Sequence, residues 1–311
     1  MDIYLHIGAH RAASTSFQYY MRENAAALAR RNTAFWGPAR TRNGMFHGIM
    51  PVPSRRSMAQ QMARARGRIA LKLAKLEDRG FERLVISDEN MLGSMRANMR
   101  DGALYRAAGQ RMARYHAGFG TEVRRVGISL RSPESYWRSA MGYCLMRLGR
   151  LPEPEDMLRL AAMPRGWRDV VMDVACAMPG VEIVAMPHET MGHDAAARLG
   201  ALLDTRDVPR ESARVHRNAG PGPVTLRAEV AQRAGLPVEA LTGADALPAF
   251  GRAQLAAMRE SYEDDLYWLR AGADGLARIC EEWGPETAGI NPAPGPEERG
   301  QGYGTQGRRL A

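Results

Sequence analysis

Four short apolar runs, each followed by a stretch with helical periodicity, constrain this chain more than any other feature. They are residues 3–7 (IYLHI), 83–87 (RLVIS), 123–131 (VRRVGISLR) and 181–186 (VEIVAM). A run of four to eight apolar residues bounded by breakers reads as a strand buried on both faces. Four such strands alternating with helices predict an α/β fold, a parallel sheet with helices on both faces. Sheets of this kind bind ligands beyond the carboxyl ends of their strands. The 311 residues allow two domains of about 150 residues, or one larger α/β domain with additions.

Between the runs, Phe17, Tyr20, Met21 and Leu28 recur at helix spacing, and Thr15 with Gln18 reads as a capping box. Residues 35–55 are rich in Pro and Gly and read as a long loop. Helices are expected over 56–79, with Gly80 as a C-terminal cap, over 102–117, and near 189–203. Another is expected over 132–149, with Ser132 as N-cap and Pro133 in the first turn. Residues 206–224 are broken by Pro and Gly. A helical stretch over 252–283 carries Leu255, Met258, Tyr262, Leu266 and Leu269 on one face, so it should pack back on the core. This divides the chain into an α/β core (1–205), a helical extension (206–283) and a Gly/Pro-rich tail (284–311), read as disordered.

Hydrophobic residues make up 45% and charged residues 25% of the chain, which excludes a collagen, a largely disordered chain and a small disulfide scaffold. No apolar run approaches the roughly 18 residues of a membrane helix, so no transmembrane segment is expected. An acid at Asp2 stands where a secretory signal carries positive charge. Cys144, Cys176 and Cys280 lie far apart, with no zinc-ligand spacing. A cytoplasmic protein without a metal is the expectation.

The formal charge is +9, and 41 of the 43 basic residues are arginine. A guanidinium is a planar fork suited to phosphate and sulfate oxygens. No basic stripe interleaved with aromatics and no nucleic-acid motif accompanies it, so an anionic small ligand is expected rather than nucleic acid.

Gly8-Ala9-His10-Arg11-Ala12-Ala13-Ser14-Thr15 lies between the first strand and the first helix. A helix N-terminus offers unpaired N–H groups and a positive dipole end to an anion. The hydroxyls of Ser14, Thr15 and Ser16 add donors, and Arg11 adds a full charge. The geometry is that of a phosphate-binding loop, yet GxxxxGK[ST] is not met: Ala13 replaces the second Gly, and Arg11 replaces the Lys, earlier in the loop. At the end of the third strand, Arg131 is followed eight positions later by Ser139, about 12 Å along a helix.

Together these two motifs resemble those of the sulfotransferases that use 3′-phosphoadenosine 5′-phosphosulfate (PAPS). HIGAHRAASTSFQ is similar to the family's 5′-phosphosulfate loop, and ISLRSPESYWRSA to its 3′-phosphate motif. The order and separation also fit. The resemblance covers residues 1–205, and ESYEDDLYWL (260–269) looks like the family's C-terminal helix. It implies a P-loop α/β fold and PAPS as the sulfuryl donor. Arg11 stands where the loop lysine usually stands. Ala12, Ala13, Ser14, Thr15 and Ser16 occupy the positions that wrap the phosphosulfate, while Arg131 and Ser139 would hold the 3′-phosphate. The departures at Arg11 and Ala13 change reach and backbone freedom.

Sulfuryl transfer asks for in-line geometry and charge stabilisation, as phosphoryl transfer does. Arg11 and the loop amides would stabilise the leaving nucleotide. The acceptor hydroxyl needs a base, for which Glu89, after the second strand, is the first choice and Asp88 the next; His10 and His47 are outsiders. The acceptor class stays open among a glycan, a lipid and a small alcohol, with its pocket expected in loops 35–60, 91–101 and 206–250. The alternatives are a P-loop kinase or NTPase, since RLVISDE imitates a Walker B strand, a basic polyanion-binding protein, and a degenerate sulfotransferase fold that binds nucleotide without chemistry. Oligomeric state is not legible.

Overall fold

The computed structural model describes residues 1–148, 152–217, 220, 222–235 and 248–283. Six parallel strands form one sheet in the order β2-β3-β1-β4-β5-β6. They are β1 (Asp2–Gly8), β2 (Thr33–Trp36), β3 (Arg83–Ser87), β4 (Val123–Leu130), β5 (Glu182–Pro187) and β6 (Arg278–Ile279). The four apolar runs are β1, β3, β4 and β5. The sequence reading missed β2, because it is a four-residue edge strand running into a Gly/Pro-rich stretch. It also missed β6, two residues inside a segment read as helical.

The helices are α1 (Ser14–Glu23), α2 (Ala25–Ala29), α3 (Pro38–Arg40), α4 (Met58–Glu77), α5 (Met95–Asp101), α6 (Ala108–Phe119), α7 (Pro133–Leu148), α8 (Pro154–Ala162), α9 (Trp167–Ala177), α10 (His188–Met191), α11 (Ala195–Leu203), α12 (Pro223–Ala234) and α13 (Arg252–Arg270). α4 opens on a capping box between Ser57 and Gln60, which satisfies two orphan N–H groups. At the start of α7 the Ser132 hydroxyl accepts from the Ser135 N–H at 3.4 Å, as the sequence predicts. α8 and α9 fill a stretch to which the sequence reading assigned no element. The helix expected over 252–283 stops at Arg270, and β6 then joins the sheet beside β5.

The period-2 alternation of the strands sorts the core onto two sides. Ile3, Leu5, Ile7, Leu84, Ile86, Val126 and Ile128 pack with residues of α4, α6, α9 and α13. Val85 faces the other way, with Phe17 and Tyr20 of α1 and Leu199 and Leu202 of α11. Met258, Tyr262, Leu266 and Leu269 of α13 are buried on the first side, so this helix packs on the core as its apolar face predicts. The expected tail lies outside the described residues.

β1 is central. From it the chain runs one way to β2 and β3 and the other way to β4, β5 and β6. That reversal opens a crevice beyond the carboxyl ends of the central strands. No helix among the described residues is long and apolar enough to cross a membrane.

Candidate functional site

The loop after β1 begins at a close approach of backbones. A Cβ placed on Gly8 would lie 2.8 Å from the Ser129 Cβ of β4, so only glycine fits. The Ala9 N–H then donates to the Ser129 carbonyl at 2.8 Å. Beyond it the chain turns through two left-handed residues, Arg11 (φ 67°) and Ala13 (φ 57°). α1 starts at Ser14 with Ala13 as its N-cap and no capping side chain. The expected Thr15–Gln18 capping box is therefore absent. The helix begins earlier, and Gln18 reaches instead across to Ser87 and Glu89. The N–H groups of the first turn have no helical partner. The Ser14 hydroxyl beside them is buried without a hydrogen-bond partner among the described residues. N–H groups, a hydroxyl and the positive end of a helix dipole converge here, chemistry that suits an anion.

Left-handed backbone at a residue with a Cβ costs roughly 1–2 kcal/mol. Ala13→Gly is therefore expected to raise unfolding stability by about 1 kcal/mol, read from the urea midpoint at unchanged slope. A lower midpoint would mean that the Ala13 methyl contributes more by packing than its backbone loses.

The second motif interlocks with the first. Arg131, one residue beyond β4, donates from Nη1 to the Arg11 carbonyl and from Nε to the Ser135 hydroxyl at 2.9 Å. Arg11 in turn donates from Nε to the Ser139 hydroxyl at 3.1 Å and lies over the Tyr143 ring at 5.5 Å. The Trp167 indole N–H holds the Arg131 carbonyl at 2.8 Å. Burial pulls the pKa of both guanidinium groups down; for Arg131 the charge of Glu189 acts against this and the neighbouring charge of Arg11 adds to it. Two cations this close in partly dry surroundings favour an anion between them.

Asp88 and Glu89 follow β3. Asp88 is spent on structure: its carboxylate accepts from Thr41 at 2.5 Å, from the Asn90 N–H at 3.0 Å and from Arg42 at 2.6 Å. Glu89 faces the crevice. One of its oxygens accepts from Arg42 Nη2 at 2.8 Å and the other from Gln18 at 3.1 Å. Burial acts to raise the Glu89 pKa, but the hydrogen bond and charge of Arg42, joined by a backbone hydrogen bond and by His10, make the net shift downward. His10 is held from both sides, with Nδ1 2.8 Å from the Tyr105 hydroxyl and Nε2 2.9 Å from Asn90 Oδ1. Its pKa is lowered, chiefly by burial. His47 is exposed and lies outside the crevice.

These residues meet in one cavity of about 900 Å3, lined by Arg11, Ala13, Ser14, Thr15, Ser16, Glu89, Arg131 and Ser139. Of the residues assigned to donor binding and catalysis only Ala12 is not among the lining residues, and of the alternatives for the base Asp88 and His47 are not. Ala12 is fully buried and packs in the core. Each of the three loops expected to shape an acceptor pocket contributes to the wall: Arg42 from the first, Ser94, Met95 and Arg96 from the second, and His216, Arg217, Gly220 and Leu226 from the third. The Ser16 hydroxyl accepts from the Arg217 N–H at 2.9 Å, so this third loop lies directly against α1. Seven arginines line the cavity against one carboxylate, Glu89, among the described residues, and that carboxylate is already paired with Arg42.

Sequence reasoning missed two residues here. His188, at the start of α10, lines the cavity, and burial first, then Arg131, pushes its pKa down to about 4. Arg198 is 1% exposed and lies behind the loop. Its Nη1 and Nη2 donate to the carbonyls of Ala12 and Ala13, each at 3.2 Å. A signal for it was present: α11 reads AAARLGALL, all nine residues are buried, and Arg198 is its one charged residue.

No family model, no curated protein and no solved structure matches the chain.

Proposed function

We propose that this chain is a PAPS-dependent sulfotransferase that moves a sulfuryl group to a hydroxyl acceptor by in-line displacement. The observation that carries the reading is that the two motifs resembling that family, far apart in sequence, share one cavity and are hydrogen-bonded to each other through Arg131 and Arg11. An unpartnered buried hydroxyl at Ser14 and a wall rich in arginine fit a nucleotide with anionic groups at both ends. When bound, PAPS supplies the sulfuryl group: an acceptor oxygen bonds to sulfur as the sulfur–oxygen bond to the 5′-phosphate breaks. Arg11 and the amides of the first turn of α1 stabilise the electron pair left on that phosphate oxygen. Arg131 and Ser139 hold the 3′-phosphate. Glu89 takes the acceptor proton.

The kinase or NTPase reading loses support from Asp88. The acid that would sit at the end of a Walker B strand is here occupied by Thr41, Arg42 and Asn90.

The cavity carries further charge outside the residues of the two donor motifs. Arg147, eight residues beyond Ser139 on α7, lies 5.4 Å from the ring of Tyr143, the ring that Arg11 covers from 5.5 Å. This supports an acceptor alcohol that bears carboxylate or sulfate groups of its own. Such an acceptor is expected to turn over at least about tenfold faster than its neutral counterpart at low ionic strength, an advantage that falls as salt screens exposed charges. Equal rates for uronate-containing and carboxyl-reduced oligosaccharides would remove charge from acceptor selection.

Calorimetric titration with adenosine 3′,5′-bisphosphate tests the donor. Binding is expected in the wild type and is expected to weaken about 30-fold in Arg131→Ala, the loss of charge-assisted hydrogen bonds to one phosphate. Absence of wild-type binding overturns the sulfotransferase reading.

A further inference from the structure

Arg198 is a buried cation without an ion-pair partner among the described residues. The acid whose charge acts on it, Asp194, is the N-cap of α11, one turn earlier. That carboxylate caps the helix through the Ala197 N–H at 2.8 Å and faces Arg214 at 3.7 Å. The other titratable groups that feel Arg198 are His6 on β1 and His188 on α10, and both have lowered pKa values. The Phe17 ring of α1 lies 5.4 Å from the guanidinium. A buried, unneutralised charge is costly. Burial pushes the pKa of Arg198 itself down to about 10, which still leaves it charged at neutral pH.

What the charge does follows from peptide geometry. The chain has no cis peptide bond. In a trans peptide the carbonyl of one residue and the N–H of the next point in opposite directions. Arg198 holds the carbonyls of Ala12 and Ala13 from behind the loop. The paired N–H groups belong to Ala13 and Ser14, so they are aimed forward, and both residues line the cavity. The Ala13 carbonyl also accepts the first helical bond of α1, from the Phe17 N–H at 3.1 Å, so Arg198 reinforces its direction; the Ala12 carbonyl, held by Arg198, would otherwise be able to present a negative dipole end to a site meant for an anion.

We infer that Arg198 is a positioning residue of the anion site, which turns the Ala13 and Ser14 N–H groups into the cavity and supplies a buried charge that the bound anion neutralises. The inference rests on the reading of this loop as the grip on an anionic ligand, and it does not depend on which nucleotide the anion belongs to. It gives the side of the loop facing away from the cavity a function, and it accounts for an arginine kept inside an otherwise apolar helix.

The test uses the full chain with two probes, adenosine 3′,5′-bisphosphate and inorganic pyrophosphate, titrated by calorimetry between pH 6.5 and 9. Arg198→Met is expected to weaken binding of either probe about 100-fold at every pH, with the thermal transition kept. Arg198→Lys retains a buried cation whose amine deprotonates far more readily than a guanidinium. Its affinity should be near the wild-type value at pH 6.5 and fall by up to tenfold per pH unit once the amine titrates, while the wild-type profile stays flat against that of the lysine variant. A purely structural role would not produce that profile. Equal affinities in wild type and Arg198→Met overturn the inference. If Arg198→Met does not fold, a Lys variant with the wild-type pH profile overturns it. Wild-type binding of pyrophosphate but not of adenosine 3′,5′-bisphosphate would sink the sulfotransferase reading and leave Arg198 to be judged on pyrophosphate. Binding of neither would sink both.

Discussion

On the proposed sulfotransferase function, Arg11→Ala is expected to slow sulfuryl transfer by about a thousandfold, followed as release of adenosine 3′,5′-bisphosphate from the donor, while nucleotide affinity falls only about tenfold. The asymmetry is the point of the prediction. Arg11 sits at the turn between β1 and α1, its carbonyl held by Arg131 and its Nε on Ser139. Charge on the leaving phosphate oxygen grows only as the sulfur–oxygen bond breaks. A fixed cation there therefore acts on the transition state more than on the ground state. Removing one preorganised donor from such a position costs on the order of 10²–10³ in rate, and here a full charge goes with it. Burial acts against the charged form of Arg11, so the cation stands in surroundings where screening by water is reduced. Arg11→Lys keeps the charge and should recover turnover to within about tenfold of wild type, the remainder reflecting the lost Nε hydrogen bond to Ser139. A fall in rate no larger than the fall in affinity would show that Arg11 binds the nucleotide without assisting its departure.

The same residues show how far the sequence could be read. The sheet was legible because β1, β3, β4 and β5 are apolar runs in which both faces are covered. β2 and β6 were not, since strands of four and two residues carry too little pattern to stand out from a loop or a helix. That the loop after β1 and the Arg131–Ser139 segment meet in one cavity was suggested by the order Gly8, Arg11, Ser14 and by the resemblance of both segments to one family. The geometry of the loop was not legible: no spacing rule says that Ala13 would adopt the left-handed conformation and cap α1. The Thr15–Gln18 pattern misled because a capping box and a cross-strand reach use the same residue types. Gln18 serves Glu89, and that demand comes from β3, some 70 residues away. Arg198 was hidden for a related reason. A charged residue in an apolar helix signals that something is buried with it, but only the fold shows that its partners are the carbonyls of Ala12 and Ala13.

Glu89→Gln is expected to cut turnover by about 10²-fold or more, with affinity for adenosine 3′,5′-bisphosphate within about threefold of wild type. Asp88, the neighbouring alternative, has its oxygens occupied by Thr41, Arg42 and the Asn90 N–H, which leaves Glu89 as the carboxylate that lines the cavity. Its hydrogen bonds from Arg42 and Gln18 fix both oxygens in place, and against the effect of burial Arg42 lowers its pKa. Because the folded pKa is depressed, the sign is that of an ordinary paired carboxylate. The stabilisation is present above the unfolded value and is lost as pH falls through the folded one. Turnover should therefore be flat between pH 6 and 8 as far as Glu89 is concerned, and fall only at lower pH. The amide of Gln cannot accept on both sides. Its NH2 must face either Arg42 or Gln18, two donors, so the variant should also lose about 1–2 kcal/mol of stability. The two effects separate the roles of the residue. A variant that is destabilised but turns over at the wild-type rate would make Glu89 a brace for Arg42 and Gln18, and the acceptor proton would have to leave by another group.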